Sequence, residues 1–172
     1  MVNLKIIKKY LLIILLLIAC VLGLFFLILS SQFSSFTPNK NLKTYKNIRF
    51  GFSITYPKSW KEGYTATNGD GKVLLDEKPY NEIITYASYT PWSFSQQDDP
   101  IERGEIILND GRKASFLKEL KNGKISYIVF FNKTDEFNKA EVQYVLDVNV
   151  TDEFYNSNKR TLLDVAKSIS VK

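Results

Sequence analysis

The feature that most constrains this chain is an uncharged apolar run at Leu11–Leu29, LLIILLLIACVLGLFFLIL. At a helical rise of about 1.5 Å per residue, such a run spans about 28 Å, close to the thickness of the hydrocarbon layer of a bilayer. Hydrocarbon offers the backbone no hydrogen-bond partners, so a segment that crosses it must be helical. The run therefore predicts one transmembrane helix at 11–29, in contact with membrane lipid through Leu11–Leu29.

The charges around the run predict its orientation. Lys5, Lys8 and Lys9 precede it, whereas the first basic residue after it is Lys40. The excess of positive charge on the cytoplasmic side makes residues 1–10 a cytoplasmic basic segment and places the rest of the chain outside the cell. No acid precedes the run, so the remainder carries 20 of the 23 basic residues against 18 acidic ones. That near balance argues against a nucleic-acid partner.

Two other interpretations of the N-terminus stay open. A cleaved signal peptide has an apolar region of about 7–15 residues followed by a small-x-small site, and this run is longer and ends in Ile28-Leu29-Ser30. A lipoprotein would be lipidated at Cys20, since 17–20 (LIAC) resembles a lipobox, although 21–29 stay apolar. We expect a single-pass signal anchor in the cell membrane. All three interpretations export the domain that follows.

Beyond the run, the composition indicates a short linker and one domain. Residues 30–43 are rich in serine and contain Pro38, which is typical of a linker. Residues 44–172 are numerous enough for one ordinary domain with its own core. The chain has no histidine, and Cys20 is its one cysteine. Imidazole-based catalysis, histidine-ligated metals and a disulfide within the domain are therefore excluded.

Alternating apolar residues and turn signals predict a series of strands. Asn-Gly and Asp-Gly pairs supply the positive φ angles of tight hairpins. The expected strands are 49–56 (ended by Pro57), 64–67 paired with 72–76, 82–90, 104–108, 112–120, 124–131 and 141–150. Residues 91–100 are expected to form a loop.

In the last predicted element the apolar residues no longer alternate but recur with a helical period. Leu162, Val165, Ala166 and Ile169 recur at helical spacing. Thr151 can cap a helix start, and acids directly after it suit the positive helix end. We predict a helix over 152–167 and a final short strand at 169–171. A long antiparallel sheet with packed helices is an α+β architecture.

One segment carries a family resemblance. Residues 51–60, GFSITYPKSW, fit the pattern Gly-Phe-Ser-Ile-x-Tyr-Pro-x-x-Trp and resemble the opening motif of the PsbP-like family. That family includes the extrinsic P subunit of photosystem II, a Ran-binding nuclear-import factor and exported bacterial domains. The resemblance implies an α/β/α sandwich over about 45–171, with a further helix near Trp60 or within 93–103. It implies binding or assembly, not shared catalysis, and the chain lacks the histidines used by photosynthetic members.

The sequence contains few residues in patterns typical of a catalytic or nucleotide-binding site. The acid pairs 76–77, 98–99, 135–136 and 152–153 fall in predicted loops or at element ends, where acids are mostly solvated. The nucleotide-loop patterns GxxxxGK[ST] and GxGxxG are absent from the sequence. Aromatic residues are dense around the middle loops, and Tyr89, Trp92 and Phe94 are the candidates for contact with a ligand or partner.

The sequence thus predicts a membrane-anchored extracytoplasmic domain that binds or assembles with a partner. We expect no enzyme activity, no cofactor and no metal. The alternatives are a cell-wall or carbohydrate-binding module that stacks sugars on its aromatic loops, a lipoprotein carrying the same domain, or a hydrolase whose two carboxylates would have to face one cleft at about 5–10 Å.

Overall fold

The computed structural model describes residues 41–89, 102–137 and 139–172. The predicted transmembrane helix at 11–29, Cys20, Trp92 and Phe94 lie outside these ranges, and so does most of the predicted linker. Within them, no helix is both long enough and apolar enough to span a bilayer. Lys40–Lys172 form one compact unit.

The described residues form nine strands and one helix. In chain order these are β1 (Leu42–Asn47), β2 (Phe52–Pro57), β3 (Gly71–Glu77), β4 (Asn81–Ser88), β5 (Glu102–Ile107), β6 (Lys113–Lys121), β7 (Lys124–Thr134), β8 (Glu141–Thr151), α1 (Asp152–Lys167) and β9 (Ser170–Val171).

The strands form two antiparallel sheets. The large sheet has the order β3-β4-β8-β7-β6-β5, and the small sheet has the order β1-β2-β9. Strands β5 to β8 follow one another as a meander, whereas β4 and β5 are consecutive in the described elements but have three strands between them in the sheet.

Helix α1 has the start that the sequence predicts. The Thr151 hydroxyl accepts a hydrogen bond from the Phe154 backbone N–H at 3.2 Å. Asp152 and Glu153 follow in the first turn, where carboxylates are stabilised by the partial positive charge of the helix end. The helix contacts β7 and β8 of the large sheet and β2 of the small one. It buries Tyr155, Leu162, Val165 and Ala166.

The core lies on one face of the large sheet, which we call the inner face. Strand β8 presents Val142, Tyr144, Leu146, Val148 and Val150 to it, all buried. Helix α1 and the small sheet cover this face, and their apolar side chains join the same core cluster. The motif that carries the family resemblance supplies part of this cover, through Phe52, Ile54, Tyr56 and Trp60.

Two predicted boundaries at the start of the domain differ from the structure. Strand β1 begins at Leu42, two residues inside the predicted 30–43 linker, because Leu42 and Lys43 pair with Pro57 and Tyr56. Strand β2 begins at Phe52 and not at 49, because Gly51 has a φ of 64° and belongs to the turn. Pro57 ends β2 as predicted.

Two further predictions take a different form in the structure. The expected hairpin of 64–67 with 72–76 is present as an irregular pairing: Thr65 and Lys72 form a bridge, and the Val73 and Ala66 N–H groups donate to the carbonyl oxygens of Tyr64 and Gly71 at 3.0 Å. On its other edge, strand β3 pairs with β4 over Gly71–Glu77. The further helix expected near Trp60 is a turn, and residues 102–103 of the other expected region begin β5.

Candidate functional site

A groove of about 440 Å³ opens at one end of the domain. Four parts of the chain meet there: the β1–β2 turn at 48–51, Tyr89 after β4, the β7–β8 turn, and residues 171–172, the end of β9 and the residue after it. Most of these parts are turns, whose tips are free to contact another molecule while the strands hold them in place.

The β1–β2 turn is fixed by one buried asparagine. The Asn47 side-chain amide donates hydrogen bonds to the carbonyl oxygens of Gly69 at 2.8 Å and Asp70 at 3.2 Å. Its Oδ1 accepts from the Phe50 backbone N–H at 2.8 Å. Asn47 therefore ties the turn of 48–51 to the separate turn of 68–70.

We expect Asn47→Ala to lower the free energy of unfolding by about 1–2 kcal/mol, because it leaves buried backbone groups without partners. Asn47→Asp should cost at least as much, since its carboxylate would face the carbonyl oxygens that Asn47 now satisfies. The measurement is urea unfolding of the full chain in detergent. Asn132→Ala, which removes an exposed amide that donates to Glu141, is the matched control. An equal loss in both variants would contradict the assigned role.

Arg49 adds a second link between the same two turns. Its Nη1 lies 2.6 Å from both the Asp70 carboxylate and the Asn68 carbonyl oxygen. The guanidinium also lies over the Phe50 ring, 5.1 Å from its centroid. This cation–π contact and the ion pair orient Arg49 along the rim of the groove.

The β7–β8 turn forms the opposite rim. Its ends are closed by a hydrogen bond from the Asp135 N–H to the Ala140 carbonyl oxygen at 2.7 Å. The Asp135 carboxylate accepts a hydrogen bond from the Phe137 N–H at 2.9 Å and so stabilises the turn itself. The turn holds the Phe137 ring out into solvent, where it is 94% exposed.

Aromatic rings line the base of the groove. The rings of Tyr89 and Phe50 lie 5.2 Å apart, and the Tyr89 hydroxyl bonds to Asp135 at 3.1 Å. The Tyr144 ring stacks on Phe131 at 5.1 Å, and its hydroxyl donates to the Phe50 carbonyl oxygen at 3.4 Å. Burial raises the pKa of Tyr144, which keeps that hydroxyl protonated as a donor.

The segment after β9 closes the third side. The Lys172 N–H donates to the Gly51 carbonyl oxygen at 3.1 Å. The Lys133 ammonium donates to the backbone oxygen of Lys172 at 2.8 Å. These contacts join both rims to the small sheet, so the groove is built on paired strands.

The groove places two large apolar side chains in water. Ile48 is 96% exposed, and Phe137 on the opposite rim is almost as exposed. Isolated exposed apolar residues are common, but two at the rim of one groove form a patch that a partner could cover. Aromatic and aliphatic anchors above a base of packed rings are the usual composition of a protein-binding surface.

The structure places one of the three predicted contact residues in the groove. Tyr89 lines it and is 41% exposed. Trp92 and Phe94 lie outside the described residues. The acid pair at 135–136 also lines the groove. Asp135 is engaged by its own turn, as expected for a turn acid. Within the described ranges, no three Cys, His, Asp or Glu residues are grouped as metal ligands.

Ile48 and Phe137 were not predicted as contact residues. Each is a single large apolar residue in a polar turn, in KNIR and DEFN respectively. That local pattern is the available signal, but it does not reveal that the two turns share one groove.

Comparison with known proteins supports the fold. No protein-family model matches the chain, and no curated protein matches its sequence. Among solved structures, the solution structure of cyanobacterial PsbP (CyanoP) from Synechocystis sp. PCC 6803 matches with a TM-score of 0.53. The match covers 80% of this chain and 96% of that one, at 13% identity. The chain has a PsbP-like fold.

The strands and turns of this PsbP-like fold hold the groove residues in place. The structural match supports the antiparallel α+β architecture that the strand and helix patterns predict. The resemblance of 51–60 implied an α/β/α sandwich, whereas the described residues form two antiparallel sheets and one helix. At this identity the likeness concerns the fold alone, and the groove must be interpreted from this chain's own residues.

Proposed function

We propose that this chain is a membrane-anchored extracytoplasmic binding or assembly domain without catalytic activity, and that it holds a partner protein in the groove. The observation that carries the proposal is that Ile48 and Phe137, each more than nine-tenths exposed, line the same groove. Covering both side chains would remove apolar surface from water, the main favourable term in protein association.

A glycan partner is the second candidate, favoured by one observation. Tyr89 offers a partly exposed ring in the groove, with the carboxylates of Asp135 and Glu136 beside it. An aromatic face with nearby hydrogen-bond acceptors can stack on a sugar ring and bind its hydroxyl groups. In this alternative the contact would centre on Tyr89, and Ile48 would contribute little.

Site-specific photo-crosslinking in cells of the source organism tests the proposal. A photoreactive residue at position 137 of the full chain should form a discrete adduct with a protein. The same residue at position 120, another exposed apolar site away from the groove, should not. Ile48→Asp should reduce the adduct from position 137 by about tenfold or more, because it removes an apolar anchor.

The outcomes separate the two candidates. Equal labelling from positions 137 and 120, or no protein adduct at all, would contradict a protein-binding groove. Retention on a polysaccharide that survives Ile48→Asp but is lost in Tyr89→Ala would favour the glycan. Circular dichroism of each variant checks that the fold is retained.

A further inference from the structure

The large sheet has an open edge at β5. Its opposite edge, β3, is covered by the chain before it: the Gly63 N–H donates to the Val73 carbonyl oxygen at 3.2 Å, and the Val73 N–H donates to the Tyr64 carbonyl oxygen at 3.0 Å. Among the described strands, β5 pairs with β6 alone, and five of its six residues are exposed. An open edge of this kind can pair with another strand.

The backbone groups that point outward from β5 belong to its odd-numbered residues. At the end of the strand the Leu108 N–H donates to the Arg112 carbonyl oxygen at 2.8 Å, which makes these two a hydrogen-bonded pair. Such pairs alternate with non-hydrogen-bonded pairs along an antiparallel ladder. The β5–β6 register continues without a shift through the rest of the strand. The N–H and C=O groups of Arg103, Glu105 and Ile107 therefore point away from β6.

We propose that β5 pairs antiparallel with β5 of a second copy of this chain, about a two-fold axis at Gly104. In this register the outward backbone groups of Arg103 meet those of Glu105 in the other copy, and each such pair exchanges both N–H···O bonds. The axis is perpendicular to the sheet, so the two six-stranded sheets become one continuous sheet.

Charge complementarity selects this register. Arg103 and Glu105 pair with Leu117 and Ser115, which flank Phe116 of the inner face, so both charges lie on the opposite face. In the proposed register Arg103 is directly opposite Glu105 of the other copy, an arrangement that stabilises paired strands. A shift of two residues in either direction would place Arg103 opposite Arg103, or Glu105 opposite Glu105, and like charges in such positions are destabilising.

The two charged groups differ in their partners within one copy. Glu105 pairs with Lys113 at 2.8 Å on an exposed surface. Arg103 has no ion pair with any residue of the described ranges. Pairing of two copies would give Arg103 a carboxylate and would place Glu105 between two cations.

Gly104 keeps the inner face of the interface open at the axis. The Phe116 ring covers this glycine, since a Cβ on Gly104 would lie 2.8 Å from Phe116 Cε1. Gly104 would face its copy in a non-hydrogen-bonded pair, with Cα atoms about 4.5 Å apart. The two Phe116 rings would then face each other over the glycines and bury apolar surface that is partly exposed in a single copy.

A strand pair of this length buries less surface than a standard stable interface. We therefore expect a weak dimer, populated at about 100 µM and above. Urea unfolding at low micromolar concentrations then reports on single copies. Strand β5 does not line the groove, so the inference does not depend on the partner proposed for that groove.

Disulfide formation in the purified full chain in detergent tests the proposal. Cys20→Ser makes an engineered cysteine the sole thiol. Gly104→Cys should form a disulfide-linked dimer whose yield rises with protein concentration, because Cα atoms about 4.5 Å apart suit that bond. Glu102→Cys is the matched control on the same exposed edge. In this register it lies about 14 Å from its copy, so its yield should be at least about tenfold lower.

Reversal of the two charges tests the register. In the Gly104→Cys chain, Arg103→Glu or Glu105→Arg should each lower the disulfide yield by about fivefold or more, since like charges would then lie opposite each other. The chain that combines Arg103→Glu with Glu105→Arg should recover the yield, because the opposite charges are restored with their positions exchanged.

If Gly104→Cys impairs folding, sedimentation of the Cys20→Ser chain from about 10 to 500 µM measures the dimer without it, and the same charge variants apply. Three outcomes would overturn the proposal. The chain could stay monomeric over the whole concentration range. Gly104→Cys and Glu102→Cys could form disulfides equally well, which would indicate random collision. Arg103→Glu could leave dimerisation unchanged, or the combined variant could fail to recover it, and either result would exclude this pairing.

Discussion

Gly71→Ala is expected to destabilise the domain by about 3 kcal/mol or more, because a side chain at this position has no room. An ideal Cβ on Gly71 would lie 2.2 Å from the Thr85 carbonyl oxygen and 2.6 Å from the Tyr86 Cβ. The Thr85 oxygen belongs to the backbone of β4, the hydrogen-bonded neighbour of β3. Relief of the clash therefore requires the two strands to separate.

The effect should extend to the groove. Gly71 directly follows the turn of 68–70, whose carbonyl oxygens accept from Asn47 and whose Asp70 pairs with Arg49. A shift of β3 would move that turn and, through Asn47, the 48–51 rim. We therefore expect Gly71→Ala to weaken crosslinking from position 137 as well as to lower the urea midpoint.

Gly104→Ala is the matched control, since Gly104 is also a strand glycine without a positive φ. Its Cβ would meet Phe116 Cε1 at 2.8 Å, the far end of a side chain that can rotate away. We expect a loss of about 1 kcal/mol there, typical of mild overpacking. Comparable urea midpoints for the two variants would show that β3 and β4 tolerate the extra atom.

The regular elements of the fold follow from local sequence because their signals are local. Strand β8 alternates apolar residues without interruption, and α1 begins and ends where Thr151 and the helical spacing predict. The β5–β6 and β6–β7 hairpins turn at Asp110-Gly111 and Asn122-Gly123, where positive φ is required. In each case the residues that decide the structure are neighbours in the chain.

The features that were missed depend on distant contacts. The short strand β9 was predicted at 169–171, but its pairing with β2, which joins the two ends of the domain, was not. No local pattern specifies that the small sheet separates from the large one. The groove also depends on distant contacts, because Ile48 and Phe137 come to line it only once both sheets have formed. Tyr89 was predicted as a contact residue because aromatic residues are dense in the adjoining sequence, and the structure shows only that it lines the groove.

Glu62→Gln is expected to cost about 2 kcal/mol at pH 7 and much less at pH 2. The Glu62 carboxylate accepts from Lys43 Nζ at 2.5 Å, from Lys72 Nζ, and from the Tyr56 hydroxyl at 2.8 Å. The hydrogen bonds from Lys43, Lys72 and Tyr56, in that order, lower the pKa of Glu62 from 4.5 to about 2. The full shift corresponds to about 3.4 kcal/mol. Since the side chain is 30% exposed, solvent screening reduces it to about 2 kcal/mol.

The direction of the pH dependence of stability follows from the direction of the Glu62 pKa shift. A carboxyl whose pKa is lower in the folded than in the unfolded protein stabilises the fold above the unfolded pKa. This contribution is complete above about pH 5 and declines as the pH falls from 4.5 towards 2. Urea unfolding at pH 7, 4 and 2 should therefore show the difference between wild type and Glu62→Gln shrinking with acidity.

Glu105→Gln is the control for Glu62→Gln, because Glu105 pairs with Lys113 at 2.8 Å on an open surface. Removal of such a pair should change stability by less than about 0.5 kcal/mol at any pH. Glu62 instead joins β1, through Lys43, to β3, through Lys72, and so connects the two sheets. A loss in Glu62→Gln that stays constant from pH 7 to pH 2 would show that the side chain acts through packing and not through its charge.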